Sequence, residues 1–178
     1  ILQIRGYTHS RPDEYHVQYG ASVSRELPGA VNLTVGYTGS QGRDMFLRGV
    51  ANTLDPVTRV RAVPSFGQID YKTSGCLDRV VINGSAIAGC GRATYHALQL
   101  SATRRFRSGV TGGLQYQYSK NRGTTQGSNE AATASNTFDF ESEFGTNPQD
   151  VPHTFNGSLV YQVPGSGFWT GGWRVGGI

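Results

Sequence analysis

Asp139, Glu141 and Glu143 alternate in the stretch FDFESEF, so all three carboxylates share one face of an extended segment. Carboxylates at that spacing suit Ca²⁺ or a cationic substrate; the plainer expectation is a stripe solvated at a loop or channel wall. Asp150 and His153 lie near each other, as two members of a catalytic triad could, but no G-x-S-x-G elbow supplies the nucleophile and hydrolase chemistry is not expected. His9, His16, His96 and His153 have no partner at metal-ligand spacing and read as wall or interface residues. GCGRAT follows a loop, where a phosphate-binding motif would need a strand. Asn32, Asn83 and Asn156 match the N-x-[ST] pattern, with Asn32 and Asn156 inside expected strands. The chain is expected to be no enzyme and to carry no cofactor or metal.

Cys76 and Cys90 bracket the Gly- and Ser-rich stretch SGCLDRVVINGSAIAGC. In an oxidising compartment they would close a surface loop, with stabilisation of about 3 kcal/mol on the chain-entropy estimate. Two unrelated reduced thiols are the alternative. The C-x-x-C or H-x-x-x-H pairs of a zinc site are absent.

The elements that position these residues are strands. Of 178 residues, 25 are Gly and nine are Tyr, while only 16% are charged, a balance favouring turns and sheets over a helical core. The net charge is +4, but the sixteen Lys and Arg form no run, so no nucleic-acid partner is expected. No apolar stretch approaches the roughly 18 residues of a spanning helix. The opening ILQIRGYTHS lacks the features of a signal peptide and the one Met is Met45, so the chain is expected to be a piece of something longer.

YHVQYGASVSREL, residues 15–27, puts Tyr15, Val17, Tyr19, Ala21, Val23, Arg25 and Leu27 on one face and His16, Gln18, Gly20, Ser22, Ser24 and Glu26 on the other. After Pro28 and Gly29 the rule resumes over 30–39. Residues 94–107 and 110–120 form a second such hairpin around Ser108 and Gly109, and 154–163 with 173–178 a third. The expectation is about six strands with short turns at one end and long loops, 40–92 and 121–152, at the other. That is the layout of an antiparallel up-and-down transmembrane β-barrel with long extracellular loops, all-β in class. Hydrocarbon offers no hydrogen-bond partner, so a tilted strand must alternate for about 9 to 11 residues to cross. Soluble strands average about five or six. Tyr15, Tyr19, Tyr37, Tyr95, Tyr116, Tyr118 and Phe155 fall toward the long-loop ends, and Phe106, Trp169 and Trp173 toward the short turns, as two aromatic belts would. Arg104 and Arg105 fit the short-turn interface, where basic side chains reach water.

HVQYGASVSRELPGAVNLTVGYTGSQGRDMFLRG, in which a strand ending RELP turns into one carrying GYTGSQG, resembles the barrel of TonB-dependent receptors, especially the Oar-like branch with a carboxypeptidase-regulatory-like domain. YHALQLSATRRFRSGVTGGLQYQYSK and DVPHTFNGSLVYQVP resemble two further motifs of that family, in the same order. The resemblance implies a 22-stranded barrel around a plug, importing a bound solute with energy delivered through TonB. Pro152 stands where the family pattern has a basic residue before His153, and neither a plug nor a TonB box occurs in these residues. The expected partners are outer-membrane lipid, a plug domain and the TonB system through other parts of a parent chain, and a small ligand such as a siderophore, glycan or peptide. Arg59, Arg61, Phe66, Asp70 and Tyr71 in the 40–92 connection are the candidate ligand residues. A passive porin or adhesin barrel shares the strand pattern, and a soluble secreted β-sandwich binding module is the other rival. In a sandwich, Val17, Leu33, Leu100 and Leu159 would meet in a closed interior.

Overall fold

The computed structural model describes residues 4–7, 12–54, 57–82, 85–107, 109–124, 134–136, 139–169 and 171–178. His9, Asn83 and Ser108 lie outside them, as do the side chains of Cys76, Arg105 and Phe106. The strands are β1 (Ile4–Tyr7), β2 (Tyr15–Leu27), β3 (Val31–Arg43), β4 (Phe46–Ala51), β5 (Ile69–Ser74), β6 (Cys76–Ile82), β7 (Ser85–Cys90), β8 (Arg92–Arg107), β9 (Val110–Gly123), β10 (Gly145–Thr146), β11 (His153–Gln162) and β12 (Arg174–Gly177). A 3-10 turn at Phe140–Glu143 is the one helical element among the described residues. The fold is all-β.

The chain divides into two units. A loop unit takes Ile1–Gln18, Ser40–Tyr95 and Asn121–Asp150, and a wall unit takes Tyr19–Gly39, His96–Lys120 and Val151–Ile178. The principal sheet runs β12-β11-β9-β8-β3-β2, with β10 added to β9, and it is not closed: β2 and β12 are its margins.

In the wall unit, register carries the sequence alternation across strands. β11 sets Phe155 opposite Tyr116, Gly157 opposite Leu114 and Leu159 opposite Gly112. β12 then sets Gly177 opposite Leu159 and Val175 opposite Tyr161. Residues directly opposite project to the same side, so one face gathers Leu, Val, Tyr and Phe. The other face is polar: the Ser24 and Thr34 hydroxyls meet at 2.8 Å, and Gln99 donates to Gln117 at 3.2 Å. The β2–β3 connection needs left-handed backbone at Gly29 (φ 89°) and Ala30 (φ 59°), which glycine adopts freely and alanine only at a cost.

The apolar face is open. Leu100 is 37% exposed, Leu159 57% and Phe155 67%, and Val17, in the loop unit, is 50% exposed. Leu33 is half-buried. A sandwich would seal these side chains in an interior; none of the described ones is so placed. An extended apolar surface beside a polar one is stable where hydrocarbon covers the first and water the second.

The long connections are more structured than the sequence suggests. In the loop unit β5 is the middle strand of a three-stranded sheet, parallel to β1 and antiparallel to β4. Leu47, Tyr71 and Phe140 form its core, with Ala51 and Ala134 packed on them. β6 and β7 form a hairpin that touches the 3-10 turn.

Candidate functional site

In the wall unit, the rings near the long-loop ends are coupled through histidine. Tyr37 Oη shares a 2.6 Å hydrogen bond with His96 Nδ1, and Tyr116 Oη a 2.8 Å bond with His153 Nδ1. Tyr19 stands 6.3 Å from Tyr37, and Tyr118 5.2 Å from His153, ring to ring. Each couple presents an apolar body with its polar tips satisfied, which suits a membrane–water interface. Tyr95 departs from the expected belt. Alternation puts it on the opposite side of β8 from His96, so it belongs to the polar face.

The acidic stretch fastens the loop unit. Asp139 caps the 3-10 turn by accepting the Glu141 N–H at 3.1 Å. Glu141 accepts from Arg92 at 2.6 Å and from the Cys90 N–H at 3.2 Å. Glu143 accepts the Ser135 and Asn136 N–H groups at 2.7 and 3.2 Å. Arg92 and Arg122 also flank the Phe144 ring, at 4.3 and 5.0 Å. Among the described residues no three His, Cys, Asp or Glu side chains converge as a metal site. Asp150 takes the Asn121 N–H at 2.8 Å, and His153 is held by Tyr116.

Of the five loop candidates, Arg59 and Phe66 are exposed. Arg61 donates to the Asn52 carbonyl. Asn52 is itself a hub: its Nδ2 lies within hydrogen-bond distance of the carbonyls of Val63, Phe66 and Gly67, and its Oδ1 accepts the Val63 N–H. Its φ of 53° is a conformation that asparagine tolerates. Nothing in the sequence marked this residue.

Asp70 and Tyr71 have internal partners or surroundings. Arg48 grips Asp70 with two bonds, at 3.0 and 2.6 Å. The hydrogen bond from Arg48 outweighs partial burial and lowers the Asp70 pKa from its ordinary value. Burial pushes the Tyr71 hydroxyl up to about 12. A lowered carboxylate stabilises the fold fully above its unfolded pKa, and this contribution fades as pH falls through the folded value. Arg48→Met is expected to cost about 2 kcal/mol at neutral pH, because it removes both hydrogen bonds to a largely buried carboxylate and leaves it only the charges of Arg5 and Lys72. The gap to wild type should narrow below about pH 4, where the unfolded carboxylate protonates. Denaturant melts of both proteins at pH 7 and pH 3 check this, and an equal gap at both refutes it.

One polar cavity lies within the loop unit, about 380 Å³ in volume. His16 and Gln18 of β2, Tyr95 of β8, Asn121 of β9, and Asn147 and Gln149 beyond β10 line it. The missing side chain of Gly42 makes its floor: a Cβ there would stand 3.0 Å from the His16 ring and 2.8 Å from the Met45 sulfur. Its rim is fixed, since Asn147 N–H donates to the Asn121 carbonyl at 3.0 Å while Asn121 N–H donates to Asp150. The sequence alone does not reveal this set, because only the pairing of five separate segments brings it together.

No helix among the described residues is long and apolar enough to cross a membrane. No curated protein matches the chain. No solved structure matches it either. Residues 2–178 match the family described as outer membrane beta barrel domain. With nearly the whole chain matched, and an apolar face left open, the protein belongs to the outer membrane β-barrel domain family and resides in the outer membrane.

Proposed function

We propose that this chain forms part of the barrel wall of a TonB-dependent transporter that takes up a small solute, with Cys76 and Cys90 joined by a disulfide. The observation that carries the reading is the wall unit's two-sided sheet, whose open apolar face is backed by a polar one. The RELP and GYTGSQG hairpin and the two downstream motifs add the resemblance to TonB-dependent receptors. Passive porins and adhesins share the sheet but lack an energised plug.

The two can be separated with the full-length parent protein. In liposome-swelling assays a plugged transporter admits no neutral sugar, whereas a porin swells the vesicles within seconds. In cells, a site-specific cross-link between TonB and the parent protein is the positive expectation. Swelling together with no cross-link refutes the transporter reading.

The disulfide is argued from the backbone. β6 and β7 set Cys76 opposite Cys90, and Gly91 N–H donates to the Gly75 carbonyl at 3.0 Å, just outside that pair. That bond marks Cys76 and Cys90 as a non-hydrogen-bonded pair, whose Cα atoms stand about 4.5 Å apart, inside the range a disulfide spans. Protein isolated from the outer membrane is expected to resist thiol alkylation until it is reduced. Immediate labelling of both cysteines would refute the bond.

A further inference from the structure

We infer that the polar cavity of the loop unit binds a neutral, polyhydroxylated solute of the saccharide class. The proposal deepens the uptake reading and rests on it for how the solute arrives, since the chemistry comes from the lining alone. No Asp, Glu, Lys or Arg lines the cavity. An anionic chelate or phosphate would therefore lose hydration without gaining a cation, and a cationic ligand would find no carboxylate.

What the lining offers is amide, hydroxyl and imidazole. Among the described residues the side chains of Gln18, Asn121 and Gln149 and the His16 ring carry no internal hydrogen bond. Each amide presents a donor pair and an acceptor on one planar group, which suits adjacent hydroxyls that both give and accept. Tyr95 and Met45 add apolar surface for the C–H face of a sugar ring. The cavity volume falls within the roughly 300–1,000 Å³ usual for small-molecule sites. Main-chain groups, the Asp150 carboxylate and the Asn147 amide oxygen, which accepts the Gln149 N–H at 3.3 Å, hold the rim, so the amide arms of Asn121 and Gln149 are fixed at their bases and free at their tips.

The test uses the full-length parent protein in detergent micelles, with strand content checked by circular dichroism. Saturation-transfer NMR is run with maltotriose, cellotriose and chitotriose, and with tri-alanine and an anionic, diamagnetic gallium tricatecholate as comparators. At least one trisaccharide is expected to receive saturation and the gallium chelate none. Asn121→Ala combined with Gln149→Ala is expected to weaken sugar binding at least tenfold, whereas Val60→Ala, at an exposed position outside the cavity, leaves it unchanged. Gln149→Ala alone, at an exposed position, is the fallback if the double variant loses strand content, with a threefold or greater loss expected. The proposal is overturned if no trisaccharide binds, if binding survives the double variant, or if tri-alanine displaces the sugar. None of these outcomes touches the uptake reading, which stands or falls on the swelling and cross-linking results.

Discussion

Leu100→Arg in β8 is expected to destabilise the membrane-inserted protein by about 2–4 kcal/mol, the cost of a cation facing hydrocarbon near mid-depth. Its neighbour Ser101→Arg is expected to change stability by less than about 1 kcal/mol, because alternation turns position 101 to the watery side. Leu159→Arg in β11 should behave as Leu100→Arg does: register with Gly112 and Gly177 keeps Leu159 on the same apolar face, and it is 57% exposed in the bare protein. The measurement is urea unfolding from lipid vesicles. Equal costs at positions 100 and 101 would mean that neither face meets lipid.

Gly91→Ala is the second large effect, and its cause is space. An added Cβ would stand 2.0 Å from the Met45 carbonyl oxygen and 2.7 Å from its carbon. Both are main-chain atoms, and Met45 N–H already donates to the Gly91 carbonyl at 2.9 Å, so neither partner can move without breaking the bond between them. The expected cost is at the top of the usual overpacking range, about 3 kcal/mol, confined to the loop unit. Gly67→Ala, with nothing within 4 Å of its added Cβ, is the control and should cost less than about 0.5 kcal/mol. Limited proteolysis should cut the loop unit of the Gly91 variant well before that of the control. Equal cleavage rates would refute the close approach.

How far these features could be read from the sequence depended on what each signal needs. β2 is found at Tyr15–Leu27, the stretch whose alternation is longest, because period-two patterning under lipid is enforced at every residue. β5 gives a shorter signal, Ile69 and Tyr71 alternating with Asp70 and Lys72 in FGQIDYKTS, which reads as a short hairpin extending the wall. IDYKTS buries Asp70, Tyr71, Lys72, Thr73 and Ser74 in succession, because strands on either side and paired polar groups remove the contrast between faces. Tyr95 was assigned to the belt from its nearness to a strand end; counting back from Leu100 and Leu98 reaches His96 and leaves Tyr95 on the other side. The cavity lining was beyond reach, since it depends on register among β2, β3, β8 and β9 and on the bonds that seat Asn147.

The Asn52 hub has a bearing on durability. One primary amide, with two hydrogens set among the carbonyls of Val63, Phe66 and Gly67 and its oxygen on the Val63 N–H, organises this part of the loop unit. Hydrolysis of that amide with age would leave an anion pointing at three carbonyl oxygens, and attraction would become repulsion at a buried position. The order of this segment therefore depends on the chemical integrity of a single side chain.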